Sequence, residues 1–227
     1  MKYSAIITDI EGTTSRISFV TDILFPYATR ELPAFIRANT AQPDVAAALA
    51  ACRELMQQPA ASTEQIITQL LAWIAEDKKV TPLKALQGMV WQHGYQSGAF
   101  TGHLYADAAT QLQHWHSLGI KLYVYSSGSV QAQQLLFQYS DYGDLTALFN
   151  GYFDTRIGAK RDISSYAAIL QQLQLPPKQV LFLSDVIAEL DAARALGIAT
   201  VQLIREGQPA ADHPIADSFD QIQEQIA

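Results

Sequence analysis

The chain has 227 residues, 49% hydrophobic and 16% charged, which suits a large buried interior and excludes a disordered chain. Its net charge of −7 excludes the basic face of an ordinary nucleic-acid binder, so a phosphate site here must be made positive locally. The lone cysteine, Cys52, excludes an intramolecular disulfide or a cysteine-cluster metal site, and no apolar run approaches the ~20 residues of a membrane span.

Tyr3 to Thr8 is β-branched and aromatic, which predicts a buried strand. It delivers Asp9, then Ile10, Glu11, Gly12, Thr13 and Thr14, with Gly12 breaking the strand. The run enters this strand without a signal-peptide pattern, so a cytoplasmic chain is expected. After Thr14 the strand signals stop. Phe19, Ile23, Leu24, Tyr27, Leu32, Phe35 and Ile36 recur at helix-face spacing, interrupted by Pro26 and Pro33. Residues 45–56, 63–76 and 82–95 predict further helices, with Ser62 or Thr63 as an N-cap near Gln65. Cys52, in the first of these, reads as a small buried apolar residue. Residues 15–100 therefore predict an all-helical cap, and Gly94, Gly98 and Gly102 cluster where it rejoins the core.

From residue 105 helices and strands alternate. Residues 106–117 are amphipathic and end at Gly119, a C′ glycine. Residues 121–125 predict a strand, followed by Ser126, Ser127, Gly128 and Ser129 and a helix to about Gln138. A helix over 163–173 ends at Pro176 and Pro177. Residues 180–183 predict a strand, 188–196 a helix closed by Gly197, and 200–204 another strand. Strands separated by helices imply a parallel sheet covered on both faces. The fold class is α/β: a doubly wound, Rossmann-like core from residues 1–14 and 101–227, with the cap inserted after its first strand.

Three of these strands end in reactive side chains, Asp9, Ser126 and Asp185, and the carboxyl ends of parallel strands share one edge. Asp9 and Asp185 are hard oxygen ligands suited to Mg²⁺ together with phosphate and water. Without a cation, two such carboxylates repel and one is pushed toward its protonated form. Asp185 also has the position of a helix N-cap. Ser126 to Ser129 opens a helix after a strand, which suits either a phosphate cradle or ordinary serine capping. It is no Walker loop, since the Gly-Lys-Ser/Thr ending is absent. Lys160 or its neighbour Arg161 is available to neutralise Asp9 and a phosphoryl group. Glu189 either orients Lys160 and the metal's outer shell or is a solvated helix residue. The five histidines form no ligand pattern; His114 and His116, two apart on a helix, point different ways.

The order Asp9-x-Glu11-Gly12-Thr13, Ser126, Lys160, Asp185 resembles the four motifs of the haloacid dehalogenase superfamily of phosphohydrolases. More narrowly, the runs at 9–14, 19–27, 125–130 and 153–160 look like those of the enolase-phosphatase E1 family, over nearly the whole chain. Glutamate at position 11, where the superfamily usually has a second aspartate, is a specific marker of it. The resemblance implies a Mg²⁺-dependent, bifunctional enzyme of methionine salvage, acting on a small phosphorylated diketone. It makes Asp9 the nucleophile and a metal ligand, assigns Glu11 to the metal site and to acid–base work, and gives Asp185 the rest of the Mg²⁺ site. Ser126 and Ser127 would bind substrate phosphate, and Lys160 would bind substrate and balance charge. The inserted helices would close over the site; Phe19, Phe25 and Tyr27 are candidates for contact with the substrate tail, with core packing as the other reading of each.

Other readings share parts of this set. A plain small-metabolite phosphatase has the same core residues and lacks the enolisation step. A metal-free dehalogenase also uses an aspartate nucleophile, but Glu11 and Asp185 would repel a leaving halide. A phospho-accepting receiver domain gathers similar groups at about half this length, with its aspartate on a later strand. Nothing in the sequence demands more than a monomer.

Overall fold

Ile6 faces one side of the sheet and Ala5 and Ile7 the other, and all three are fully buried. A strand apolar on both faces needs cover on both, which helices from either side provide. The computed structural model describes residues 2–78 and 80–222. Met1 and residues 223–227 of the expected core, and Lys79 of the expected cap, lie outside the described residues.

The first strand, β1 (Ala5–Thr8), is followed by α1 (Ile17–Phe19), a π-helical stretch over Val20–Leu24, and α2 (Phe25–Asn39). Pro26 is the second residue of α2, which continues directly from the π-helical stretch, and Pro33 lies within that helix rather than ending it. Next come α3 (Pro43–Met56), α4 (Thr63–Ala75) and α5 (Thr81–Gln96). Ser62 caps α4 through a complete capping box with Gln65. These helices bury Leu32, Ile36, Val45, Cys52, Ile66 and Leu86 against one another.

The chain then alternates: α6 (Ala106–Ser117), β2 (Lys121–Tyr125), α7 (Val130–Gln138), β3 (Phe149–Phe153), α8 (Ile163–Leu173), β4 (Val180–Ser184), α9 (Ile187–Arg194), β5 (Ala199–Leu203) and β6 (Ile215–Ala216). Among the described residues these strands form one six-stranded parallel sheet in the order β3-β2-β1-β4-β5-β6. Leu112 and Trp115 of α6, with Phe219, cover one face, and Tyr166, Ile169, Leu190 and Ala193 of α8 and α9 cover the other.

Two strands escape the sequence pattern. In β3, Asn150 and Gly151 dilute the apolar run. It forms because β2 offers an open ladder, and at the register shift between Leu122 and Tyr123 the Asn150 side chain accepts the Leu122 N–H at 3.0 Å. The other, β6, is a two-residue edge strand.

The chain divides into two compact units, Ser18–Phe100 and a second made of the residues up to Ile17 with those from Thr101 onward. The expected cap began at residue 15. Residues 15–17 instead go with the sheet, since Arg16 N–H donates to His103 Nδ1 at 3.3 Å and Thr14 C=O accepts from Tyr105 N–H at 2.9 Å.

Candidate active site

Because β1 lies between β2 and β4, the residues just past all three strands are neighbours. Thr8 pairs with Val124 on one side and Leu183 on the other, which sets Asp9, Tyr125–Ser126 and Ser184–Asp185 at one level. Strand order also reverses between β1 and β4, and open α/β sheets bind their ligands at such switch points.

After Asp9 the chain folds into a tight loop. The Ile10 carbonyl gathers the N–H groups of Thr13, Thr14 and Ser15 at 3.2, 2.9 and 2.9 Å, and Thr14 Oγ1 donates to the Asp9 carbonyl at 3.2 Å. Gly12 has φ +75°, and a Cβ there would collide with the Asp185 carboxylate, so only glycine lets the loop approach β4 this closely. Asp9 itself is 2% exposed. Its Oδ1 accepts from Ile10 N–H at 2.8 Å and from Lys160 Nζ at 2.5 Å.

Lys160 comes from the loop before α8, where its carbonyl is held by Tyr166 Oη at 2.7 Å. Its ammonium lies between Asp9 and Glu189, the latter at 2.7 Å. Burial works against that charge, but the two carboxylates outweigh it and hold the ammonium above its ordinary value. Arg161 is exposed, so the choice between the two basic residues falls to Lys160. Glu189 is buried, accepts from Ser184 Oγ at 3.0 Å, and is pushed up to about 7 by burial and by Asp9. The reading of Glu189 as a solvated helix residue is therefore overturned.

Ser126 is fully buried; its Oγ donates to Glu11 Oε2 at 3.1 Å and accepts from Gly128 N–H at 3.1 Å. The cap of α7 is Ser129, which accepts from Ala132 N–H at 3.2 Å, so Ser126 is not spent on capping. Ser127 is exposed beside it. Burial and then the Asp9 charge raise Glu11 above an ordinary carboxyl.

Asp185 is not a helix cap either. The N-cap of α9 is Val186, whose N–H goes to Ser184 Oγ at 3.1 Å. Burial and Asp9 push Asp185 up to about 6, and its Oδ1 is buried without a hydrogen-bond partner. An orphaned carboxylate oxygen beside other acids is costly unless a cation or proton meets it. Asp9, Glu11, Asp185 and Glu189 share one lysine. Among the described residues no three acidic, histidine or cysteine side chains close into a metal cage. Mg²⁺ suits such a half-open set, since it keeps waters and takes phosphate oxygens alongside one or two carboxylates. The donor set fits that ion.

A family model for haloacid dehalogenase-like hydrolase matches residues 3–197. Enolase-phosphatase E1 of Pseudomonas syringae pv. syringae is 56% identical over 219 residues, covering 96% of each chain. The enzyme of the same name from Pseudomonas fluorescens is 54% identical over 223 residues, covering 98% of each. This chain belongs to the enolase-phosphatase E1 family. Among solved structures, the UTR4 protein of Saccharomyces cerevisiae is 38% identical with a TM-score of 0.83, covering 96% of this chain and 99% of that one. The L-2-haloacid dehalogenase of Xanthobacter autotrophicus, 18% identical with a TM-score of 0.60, shares the fold alone. The chain is thus an enzyme, a phosphatase of the haloacid dehalogenase-like hydrolases.

Two residues beside the family motifs escaped sequence reading. Gln208 Nε2 lies 3.4 Å from Asp185 Oδ2, and Arg205 Nε donates to the Thr13 carbonyl at 3.2 Å. Both follow β5 in a segment whose polarity reads as an ordinary loop; Gly207 is the one signal of a built turn. Of the aromatic candidates, Phe19 and Tyr27 are buried within the helical unit and Phe25 stacks on Trp91 there. Among the described residues no helix is long and apolar enough to cross a membrane.

Proposed function

We propose that the chain is a Mg²⁺-dependent bifunctional enolase-phosphatase that converts 2,3-diketo-5-methylthiopentyl 1-phosphate to acireductone and phosphate, a step of methionine salvage. The observation that carries the chemistry is Asp9, buried just past β1 with its Oδ1 held by Lys160 and Ile10 N–H. Both contacts fall on Oδ1, so the carboxylate is fixed and its other oxygen is the one assigned to attack. The substrate follows from the identity to the Pseudomonas enzymes over nearly the full chain. A monomeric, cytoplasmic enzyme goes with this reading.

In the first half-reaction Glu11 takes the proton from the carbon next to a substrate carbonyl and gives it to that carbonyl's oxygen, which completes the enol. The reach of Glu11 exceeds that of aspartate by about 1.5 Å, which carries the carboxylate toward that proton. Ser126 fixes Oε2, so the rotamer is set before substrate arrives. In the second, Asp9 attacks phosphorus, the P–O ester bond breaks, and the enol leaves. Water hydrolyses the aspartyl-phosphate, giving its proton to an adjacent carboxylate. Ser126 and Ser127 bind the phosphoryl oxygens, and Lys160 balances the charge that grows on them. Asp9, Glu11 and Asp185 would hold Mg²⁺, whose charge, when bound, cancels repulsion between Asp9 and the phosphoryl dianion.

The test is to supply the diketo phosphate with Mg²⁺ and follow enol absorbance and free phosphate separately. Wild type should show both, Asp9→Asn should accumulate enol without phosphate, and Glu11→Gln should slow enol formation. Full phosphate release by Asp9→Ala would end the reading. Phosphate release without an enol would leave a plain phosphatase. Enol formation untouched in Glu11→Gln would remove the base from that residue.

A further inference from the structure

The segment after β5 is anchored at its second residue, Arg205. The Arg205 guanidinium donates to the carbonyls of Thr13 and Asp217 at 3.2 and 3.0 Å, pairs with Asp107 at 2.7 Å, and lies 4.3 Å from the Tyr105 ring centre. Such a multiply held guanidinium loses little further entropy and fixes where the following backbone begins. Gly207, at φ +79°, then turns the chain in a conformation that side chains disfavour. The turn brings Gln208 back over its own backbone, where its Oε1 accepts from Glu206 N–H at 2.9 Å.

That last bond settles which way the amide points. With Oε1 committed to a backbone donor, Nε2 must face outward, and what it faces is Asp185 Oδ2 at 3.4 Å. The same carboxylate lies against the bare α-carbon of Gly12. Oδ2 is thus confined by Gly12 and Gln208, while Oδ1 is the buried oxygen with no partner. A neutral amide orients a carboxylate without cancelling its charge, which a lysine in that position would do.

We propose that Gln208 is a positioning residue for the metal site: it fixes the rotation of the Asp185 carboxylate so that Oδ1 stays available to Mg²⁺. The proposal rests on the reading of Asp185 as a metal ligand and adds a determinant of metal affinity outside the family motifs. Residues that orient metal ligands in this way are worth about 10–100-fold in metal affinity or activity.

The experiment is calorimetric titration of the intact protein with MgCl₂ alone, in wild type, Gln208→Met and Gln208→Ala. Methionine keeps the length and the packing and removes the donor. Both variants should bind Mg²⁺ about tenfold or more weakly, with melting temperatures in EDTA close to wild type, since Gln208 is only half-buried. A purely structural role would lower the melting temperature in EDTA and leave the affinity alone. Wild-type affinity in Gln208→Met overturns the proposal. If wild type itself takes up no Mg²⁺, it is the metal reading of Asp185 that fails, and the proposal with it.

Discussion

Lys160 is a buried cation, 7% exposed, shared between two buried acids. Removing one member of such a set costs more than the set gains, because the remaining charges keep their desolvation penalty without compensation. Lys160→Met, similar in length and uncharged, should therefore destabilise the Mg²⁺-free protein by about 3–5 kcal/mol, read as a lowered urea midpoint at neutral pH. The same variant should lose about 10²–10³ in turnover, since the charge on the phosphoryl oxygens goes uncompensated. Unchanged stability would mean that the buried acids do not depend on Lys160 for compensation. At this scale the sequence supplied the residue types and left their assignments open. Lys160 against Arg161 turned on burial, which two adjacent residues in a polar loop do not disclose. Asp185 against a helix cap turned on Val186, which takes the N-cap position of α9 with no side-chain capping bond. Glu189 turned on the Ser184 hydroxyl and the Lys160 ammonium that meet it, contacts that helix periodicity does not disclose.

Among the elements, the contact that ties most together is Arg205 with Asp107, which joins the start of α6, the segment after β5 and the loop carrying Thr13. Asp107 accepts from Arg205 and from Phe219 N–H, each at 2.7 Å. Burial alone would raise the Asp107 pKa, but these two donors outweigh it and hold the carboxyl below its ordinary value. A depressed native pKa adds stability above the unfolded value, about 4. That stability is lost as pH falls through the lower native value. Asp107→Asn leaves the guanidinium without its counter-charge and should be less stable at pH 7 by about 3 kcal/mol. The gap between variant and wild type should narrow as both are acidified toward pH 2, because wild type then protonates the same group. A gap constant from pH 7 to pH 2 in chemical denaturation would contradict the linkage. Elements were legible where periodicity was strong: β2 and α8 match their predicted bounds, and α4 has its predicted cap. The edge strand β3 was hidden because its stability comes from the β2 ladder and one asparagine side chain, neither of which leaves an apolar pattern.

For the whole molecule, the doubly wound core was readable because strands buried on both faces appear as unbroken apolar runs between helices. The position of β1 between β2 and β4 is a three-dimensional fact that the linear order does not contain, and it is what makes a site of residues far apart in sequence. That arrangement concentrates acids in a chain already at −7. The sheet unit should therefore be strained electrostatically without a cation and relieved by one. An ion that binds the native state alone stabilises it by RT ln(1 + [L]/Kd), about 2.7 kcal/mol at a hundredfold excess over Kd. At about 2–4 °C per kcal/mol for a chain of this size, Mg²⁺ should raise the melting temperature by about 5–10 °C over EDTA. Asp185→Asn removes the negative charge and keeps the shape, so most of that rise should vanish while the EDTA value holds or increases. A melting temperature indifferent to Mg²⁺ in wild type would mean that these carboxylates meet protons rather than a metal, and the charge balance assigned to the site would have to be redrawn around Lys160 alone.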